Sequence, residues 1–223
     1  MQTYSRLIGG IMMVAVMASA TMAADNQETG GEPAPAALLE DVESRMAEIR
    51  TVSTRFVQKK KLSLFAEELE IHGTLFIEKP DRFAWKVHSP IHYILILNKD
   101  RLIQWDETAG QVSETSLSGN PLFEEVVAQV TGWFFGAYRD RKGEYDVSVL
   151  QKDPLVLEFQ PRKETPVAAF MKRLTLTFLP DRRYISEIFF EEAAGDTTRL
   201  MFEDTHLNQP LESSVWEAAD GVR

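Results

Sequence analysis

Short stretches in which apolar and polar residues alternate follow one another along most of the chain. Leu69, Ile71, Gly73, Leu75 and Ile77 alternate with Glu70, His72, Thr74, Phe76 and Glu78. That period of two belongs to a strand whose two faces meet different surroundings. Phe83, Trp85 and Val87 repeat it, and further strands are expected at 93–97, 102–105, 145–150, 155–159, 174–178, 184–190 and 198–202. Turn chemistry separates them at Lys79-Pro80-Asp81, Asn98-Lys99-Asp100, Pro180-Asp181 and Ala194-Gly195-Asp196. Connections this short join antiparallel neighbours, because a parallel return needs a dozen residues or more. The pattern predicts one large antiparallel meander with no internal repeat.

Two segments change period. Leu38, Leu39, Val42, Met46 and Ile49 recur at spacings of three and four, with Glu40, Asp41, Glu43 and Glu48 off the stripe. Leu122, Val126, Val127, Val130 and Phe134 do the same over 121–135, with Asn120-Pro121 as a start signal and Gly136 as a stop. The fold class is therefore α+β and mainly antiparallel β: a curved sheet with a few helices over its concave face. Tyr93-Ile94-Leu95-Ile96-Leu97 and Leu75-Phe76-Ile77 are apolar without interruption. A strand of that kind has material against both faces, here either helices or a ligand.

The first residues differ from all of this. Arg6, an uncharged apolar run at 7–18, and small residues at Ala18-Ser19-Ala20 or Thr21-Met22-Ala23 have the order of a secretory signal. The run, broken by Gly9, Gly10, Ser19 and Thr21, fits a cleaved signal better than a spanning helix. Residues 1–23 are expected to be removed, 24–35 to form a disordered lead-in, and 36–223 to form a single domain. The chain has no cysteine, which excludes disulfides, thiolate metal sites, a cysteine nucleophile and a lipoprotein-type acyl anchor. Its formal charge of −10 argues against nucleic acid and against adsorption to an anionic bilayer. Arg55, Lys59, Lys60 and Lys61 form the one dense basic patch.

Catalytic chemistry finds little support. His88 and His92 stand four apart, a metal spacing on a helix, but Pro90 between them disfavours a helix. No nucleophile elbow, phosphate-binding loop or zinc-protease motif occurs. Glu67-Glu68, Glu124-Glu125 and Glu191-Glu192 are adjacent carboxylates, and on a strand neighbours point to opposite faces. No metal, cofactor or catalytic residue is expected. The thirteen Phe, beside four Trp and five Tyr, build apolar surface with no polar handle to satisfy.

Four pieces, in order, resemble the LolA-type outer-membrane lipoprotein carriers. They are an amphipathic helix leading into Thr54-Arg55-Phe56-Val57-Gln58; Gly73-Thr74-Leu75-Phe76-Ile77-Glu78-Lys79-Pro80-Asp81-Arg82-Phe83-Ala84-Trp85; Ser89-Pro90 followed by a strand, a turn and Trp105; and Asn208, Leu211 and Trp216. The resemblance implies an incomplete β-barrel under a helical lid, enclosing a hydrophobic cavity that carries acyl chains through the periplasm. It implies acylated lipoprotein or other lipid as cargo, with an inner-membrane release complex and an outer-membrane acceptor as partners of a monomer. Phe56, Phe76, Phe83, Trp85, Ile94 and Ile96 are the candidate cavity residues, with the inward strand face unassigned. Leu75 and Phe76, as neighbours, cannot both face the cavity. Phe83 is either a cavity-mouth aromatic or core. Where the family has an arginine that pins the lid, this chain has Lys79, with Arg82 three residues on, so the candidate latch is Lys79 and Arg82; the alternative for Lys79 is an ordinary turn residue. A sensor module of the same fold, binding lipids or misfolded chains, is the competing function.

Overall fold

The computed structural model describes residues 35–63, 67–118, 132–139 and 143–218. The expected signal peptide, 24–34 of the lead-in and 121–131 of the second helix lie outside the described residues. Helix α1 (Pro35–Ala47) precedes strands β1 (Thr51–Lys61), β2 (Glu68–Glu78), β3 (Arg82–Ser89), β4 (Tyr93–Asn98), β5 (Arg101–Asp106) and β6 (Val112–Ser116). Residues 132–135 are helical and end at Gly136, whose φ of +84° is the left-handed stop the sequence predicted. Strands β7 (Tyr145–Lys152), β8 (Leu155–Pro161), β9 (Met171–Phe178), β10 (Ile185–Glu192) and β11 (Thr197–Leu207) follow, with 3-10 turns at Pro166–Ala169 between β8 and β9 and at Ser213–Trp216 after β11.

All eleven strands form one open antiparallel sheet in the order β6-β5-β4-β3-β2-β1-β11-β10-β9-β8-β7. The single meander expected from the turns is in fact two, β1–β6 and β7–β11, sewn together where β1 pairs with β11. Turn chemistry could not reveal that seam, because Phe56 meets Phe202 and Lys60 meets Thr198 across most of the sequence. The alternation also missed β6, whose five residues are all exposed. It is an edge strand of mostly polar residues, and such an edge carries no apolar stripe.

The sheet curls strongly. Phe134 touches Phe83 and Trp85 of β3, while its neighbour Trp133 touches Tyr145 of β7 and Phe159 of β8. Six strand spacings separate β3 from β8 in the sheet, roughly 29 Å if it were flat. Two adjacent side chains reach both only because the sheet bends around them.

Each face has its own cluster. On the inner face, alternate residues of the strands pack with Leu38, Leu39, Val42 and Met46 of α1 and with Trp133, Phe134 and Tyr138. On the outer face, Ala84, Ile94, Ile96 and Trp105 pack under Trp216 and Ala218, with Phe76 and Ile103 beside them. The doubly apolar β4 is thereby explained: Tyr93, Leu95 and Leu97 face inward, Ile94 and Ile96 outward, and all five are buried.

Candidate functional site

The inner face of β1 to β3 is built around a close backbone approach. Gly73 of β2 pairs with Phe56 of β1, and a Cβ placed on it would lie 2.3 Å from Phe56 Cζ and 2.3 Å from the Lys86 carbonyl oxygen. With no side chain there, the Phe56 ring lies over β2 and stacks on Trp85 with centroids 3.8 Å apart. Phe83, Trp85 and Phe202 then meet Phe134 at centroid distances of 5.5, 6.4 and 6.1 Å. Offset and edge contacts of this kind add to the burial of the rings themselves.

The two covering segments are tied to each other and to the sheet by polar groups. The Lys79 ammonium donates to the carbonyl oxygen of Met46 at 2.7 Å and to that of Phe135 at 2.9 Å. Those carbonyls stand in the last turns of α1 and of the 132–135 helix, where backbone acceptors lack helical partners and a cation is favoured by the helix dipole. Burial pushes the Lys79 ammonium below its ordinary pKa. Tyr184 donates to the Phe134 carbonyl at 3.3 Å, and Tyr138 to the Trp133 carbonyl at 3.0 Å. Complete burial pushes the Tyr184 phenol far above its ordinary value. Arg139 pairs with Glu43 and Glu40 of α1, joining the two covers directly. Asn208, in the left-handed region at φ +58°, accepts from Arg50 N–H at 2.7 Å and donates to the Glu48 carbonyl at 3.3 Å, fixing the entry from α1 to β1.

The candidate residues divide between the faces. Phe56, Phe83 and Trp85 stand together on the inner face, and Phe83 is fully buried. Phe76, Ile94 and Ile96 belong to the outer cluster and are corrected accordingly: they alternate with Leu75, Leu95 and Leu97, which hold the inner positions. Phe76 and Ile94 instead line an outer cavity of about 320 Å³, with Thr74, His88, Trp105 and Val215. Arg82 is likewise corrected, since among the described residues it bonds neither cover. It bonds Glu78 at 2.9 Å and Asn98 at 3.3 Å and lies 5.5 Å over the Trp216 ring on the outer side.

Several of the other charged groups are paired with each other. Arg55, Lys59 and Lys60 of the basic patch pair with Asp204, Glu70 and Glu192. Glu191 and Glu192 turn to different partners, Glu191 to Lys172 and Arg173. His88 contacts the Thr74 hydroxyl at 3.1 Å and His92 contacts Glu107 at 3.2 Å, and burial pushes His88 down. Sequence reasoning passed over Trp133, Tyr138 and Tyr184. Trp133 and Tyr138 touch each other, with ring centroids 6.0 Å apart, but Tyr145 and Phe159 around Trp133 and the Phe134 carbonyl bonded by Tyr184 come from elsewhere in the chain.

Among the described residues no helix is long and apolar enough to cross a membrane. The chain is 26% identical over 202 residues to the outer-membrane lipoprotein carrier protein of Chromohalobacter salexigens, covering 88% of each chain. In fold it is similar to the Pseudomonas aeruginosa MucA/MucB complex structure, with a TM-score of 0.51 and 11% identity over 84% of this chain and 62% of that one. The LolA superfamily protein NE2245 of Nitrosomonas europaea gives a TM-score of 0.43 at 12% identity, over 82% of this chain and 98% of that one. The family described as outer membrane lipoprotein carrier protein LolA matches residues 47–218, from the end of α1 through the 3-10 turn on the outer face. With that span matched, the chain belongs to the LolA family of outer-membrane lipoprotein carrier proteins.

Proposed function

We propose that this protein is a periplasmic carrier that takes the acyl chains of lipoproteins, or of a related lipid, onto its inner face and moves them from the inner to the outer membrane. The observation that supports this best is the character of the inner face. It is a continuous aromatic and aliphatic surface, roofed by two segments that Lys79 holds at their carbonyl ends. Each methylene kept from water is worth about 0.8 kcal/mol, so a lipid anchor crosses an aqueous space only when shielded. Cover and cargo compete for the same surface. Their burial energies offset each other, so cargo is held without becoming irretrievable. No covalent bond is made or broken in such a cycle.

In this reading Phe56, Phe83 and Trp85 contact cargo once the cover moves, and Lys79 is the latch. Lysine lacks the planar five-donor fork of arginine, so its two bonds hold with less geometric constraint. The leader at 1–23 directs export and is cleaved. In the same reading an inner-membrane release complex supplies the cargo to the monomeric carrier and an outer-membrane acceptor removes it.

Native mass spectrometry of protein purified from periplasm, with organic extraction of bound material, tests the proposal. Co-purifying acylated protein or lipid is the expected result. A clean apo mass, with no uptake of a fluorescent fatty acid, would overturn it in favour of a protein-binding role.

A further inference from the structure

Gln58, the last residue of the Phe56-Val57-Gln58 motif, takes no part in the contacts described above. It shares the buried side of β1 with Phe56 and Lys60, and its pairing neighbours are Ile71 of β2 and Leu200 of β11, both in the inner-face cluster. Only 3% of Gln58 is exposed, and its Nε2 has no hydrogen-bond partner. A buried amide with an unused donor is costly, and an apolar side chain of similar size would cost less. Two residues further, Lys60 is 7% exposed and pairs with Glu192 at 3.0 Å. The buried row of β1 runs Val52, Thr54, Phe56, Gln58 and Lys60 from the Lys79 end, and Thr54 is satisfied by donating to the Glu203 carbonyl at 3.0 Å.

A pure hydrocarbon on this face would leave the Gln58 donor unmet. An acyl chain carries one strong acceptor, the carbonyl at its root. We infer that the Gln58 amide donates a hydrogen bond to the ester or amide carbonyl of a bound acyl chain, so that the site selects acyl-linked lipids over alkyl-linked ones. The inference rests on the carrier reading above. The carbonyl is common to diacylated lipoproteins and to phospholipids.

The test compares wild type with Gln58→Leu and Gln58→Met, using a diacyl phosphatidylglycerol, its dialkyl ether analogue and a synthetic diacylated lipopeptide. Wild type should bind the ester lipid about tenfold more tightly than the ether. Both variants should lose that preference by weakening ester binding alone, with thermal stability unchanged or raised, since an unpaired buried donor has been removed. A wild type with no ester preference, or variants that keep it, would overturn the inference and leave the carrier reading standing. If wild type binds none of the three lipids, both fall. The tighter of the two ester ligands identifies the source of the carbonyl, provided Gln58→Leu weakens it.

Discussion

The two faces of the β2–β5 region make an instructive pair. Both are apolar and both are covered, and in each case a lysine donates to backbone carbonyls of the cover. On the inner face Lys79 is part-buried and reaches Met46 and Phe135 at 2.7 and 2.9 Å. On the outer face Lys86, also half-buried, reaches Ser214 and Glu217 at the longer distances of 3.5 and 3.3 Å. The inner cluster extends from β5 round to β7 and has a buried polar side chain in its midst, whereas the outer one is confined to β2–β5 beneath the 3-10 turn at Ser213–Trp216. Apolar residues on both sides of a strand are therefore no sign of a ligand in themselves. The outer run is satisfied by the chain's own C-terminal segment. The inner one is roofed by segments whose removal would expose a large connected surface.

That contrast is open to direct attack. The largest effects should come from the aromatic anchors. Phe134→Ala and Trp216→Ala should each cost about 3 kcal/mol in denaturant unfolding. Only Phe134→Ala should accelerate fatty-acid uptake; equal acceleration by Trp216→Ala would erase the distinction between the faces. Next is Gly73→Ala, whose added methyl must displace Phe56 or the β3 backbone. A loss of about 1–3 kcal/mol, with loss of the Phe56–Trp85 near-ultraviolet signal, is expected. An unchanged spectrum would mean that the ring is not held by the missing side chain.

Lys79→Met should cost about 2 kcal/mol by removing two charge-assisted bonds. Hydrogen exchange should then rise in the last turn of α1, and Lys79→Arg should restore protection. Lys86→Met, which removes two longer bonds, should cost under about 1 kcal/mol and leave uptake unchanged. A further effect is a pH dependence. The folded-state pKa of Tyr184 is raised, so its contribution to stability is intact below the ordinary tyrosine value of about 10 and is lost as pH rises beyond it. Tyr184→Phe should lose about 1 kcal/mol at neutral pH and show a flatter alkaline decline. An identical alkaline profile would show that this phenol does not titrate on unfolding.

Local chemistry determined much of this protein by itself. Alternation marked nine of the strands, and the Thr54–Gln58 resemblance marked β1. Three-and-four spacing marked α1, turn residues marked the hairpins, and Lys79 was singled out by its place within the Gly73–Trp85 motif. Period two states that the faces of a strand differ; it does not state which face is enclosed. That was decided by where Trp133, Phe134 and Trp216 come to rest on the sheet. Phe76, Ile94 and Ile96 are as apolar as Phe56, Phe83 and Trp85, so composition could not separate them. Arg82 and Lys79 stand three residues apart at one turn, yet one side chain reaches the outer face and the other the inner cover. The identities of these residues were fixed along the chain, but their side of the sheet depends on contacts made far from them in sequence.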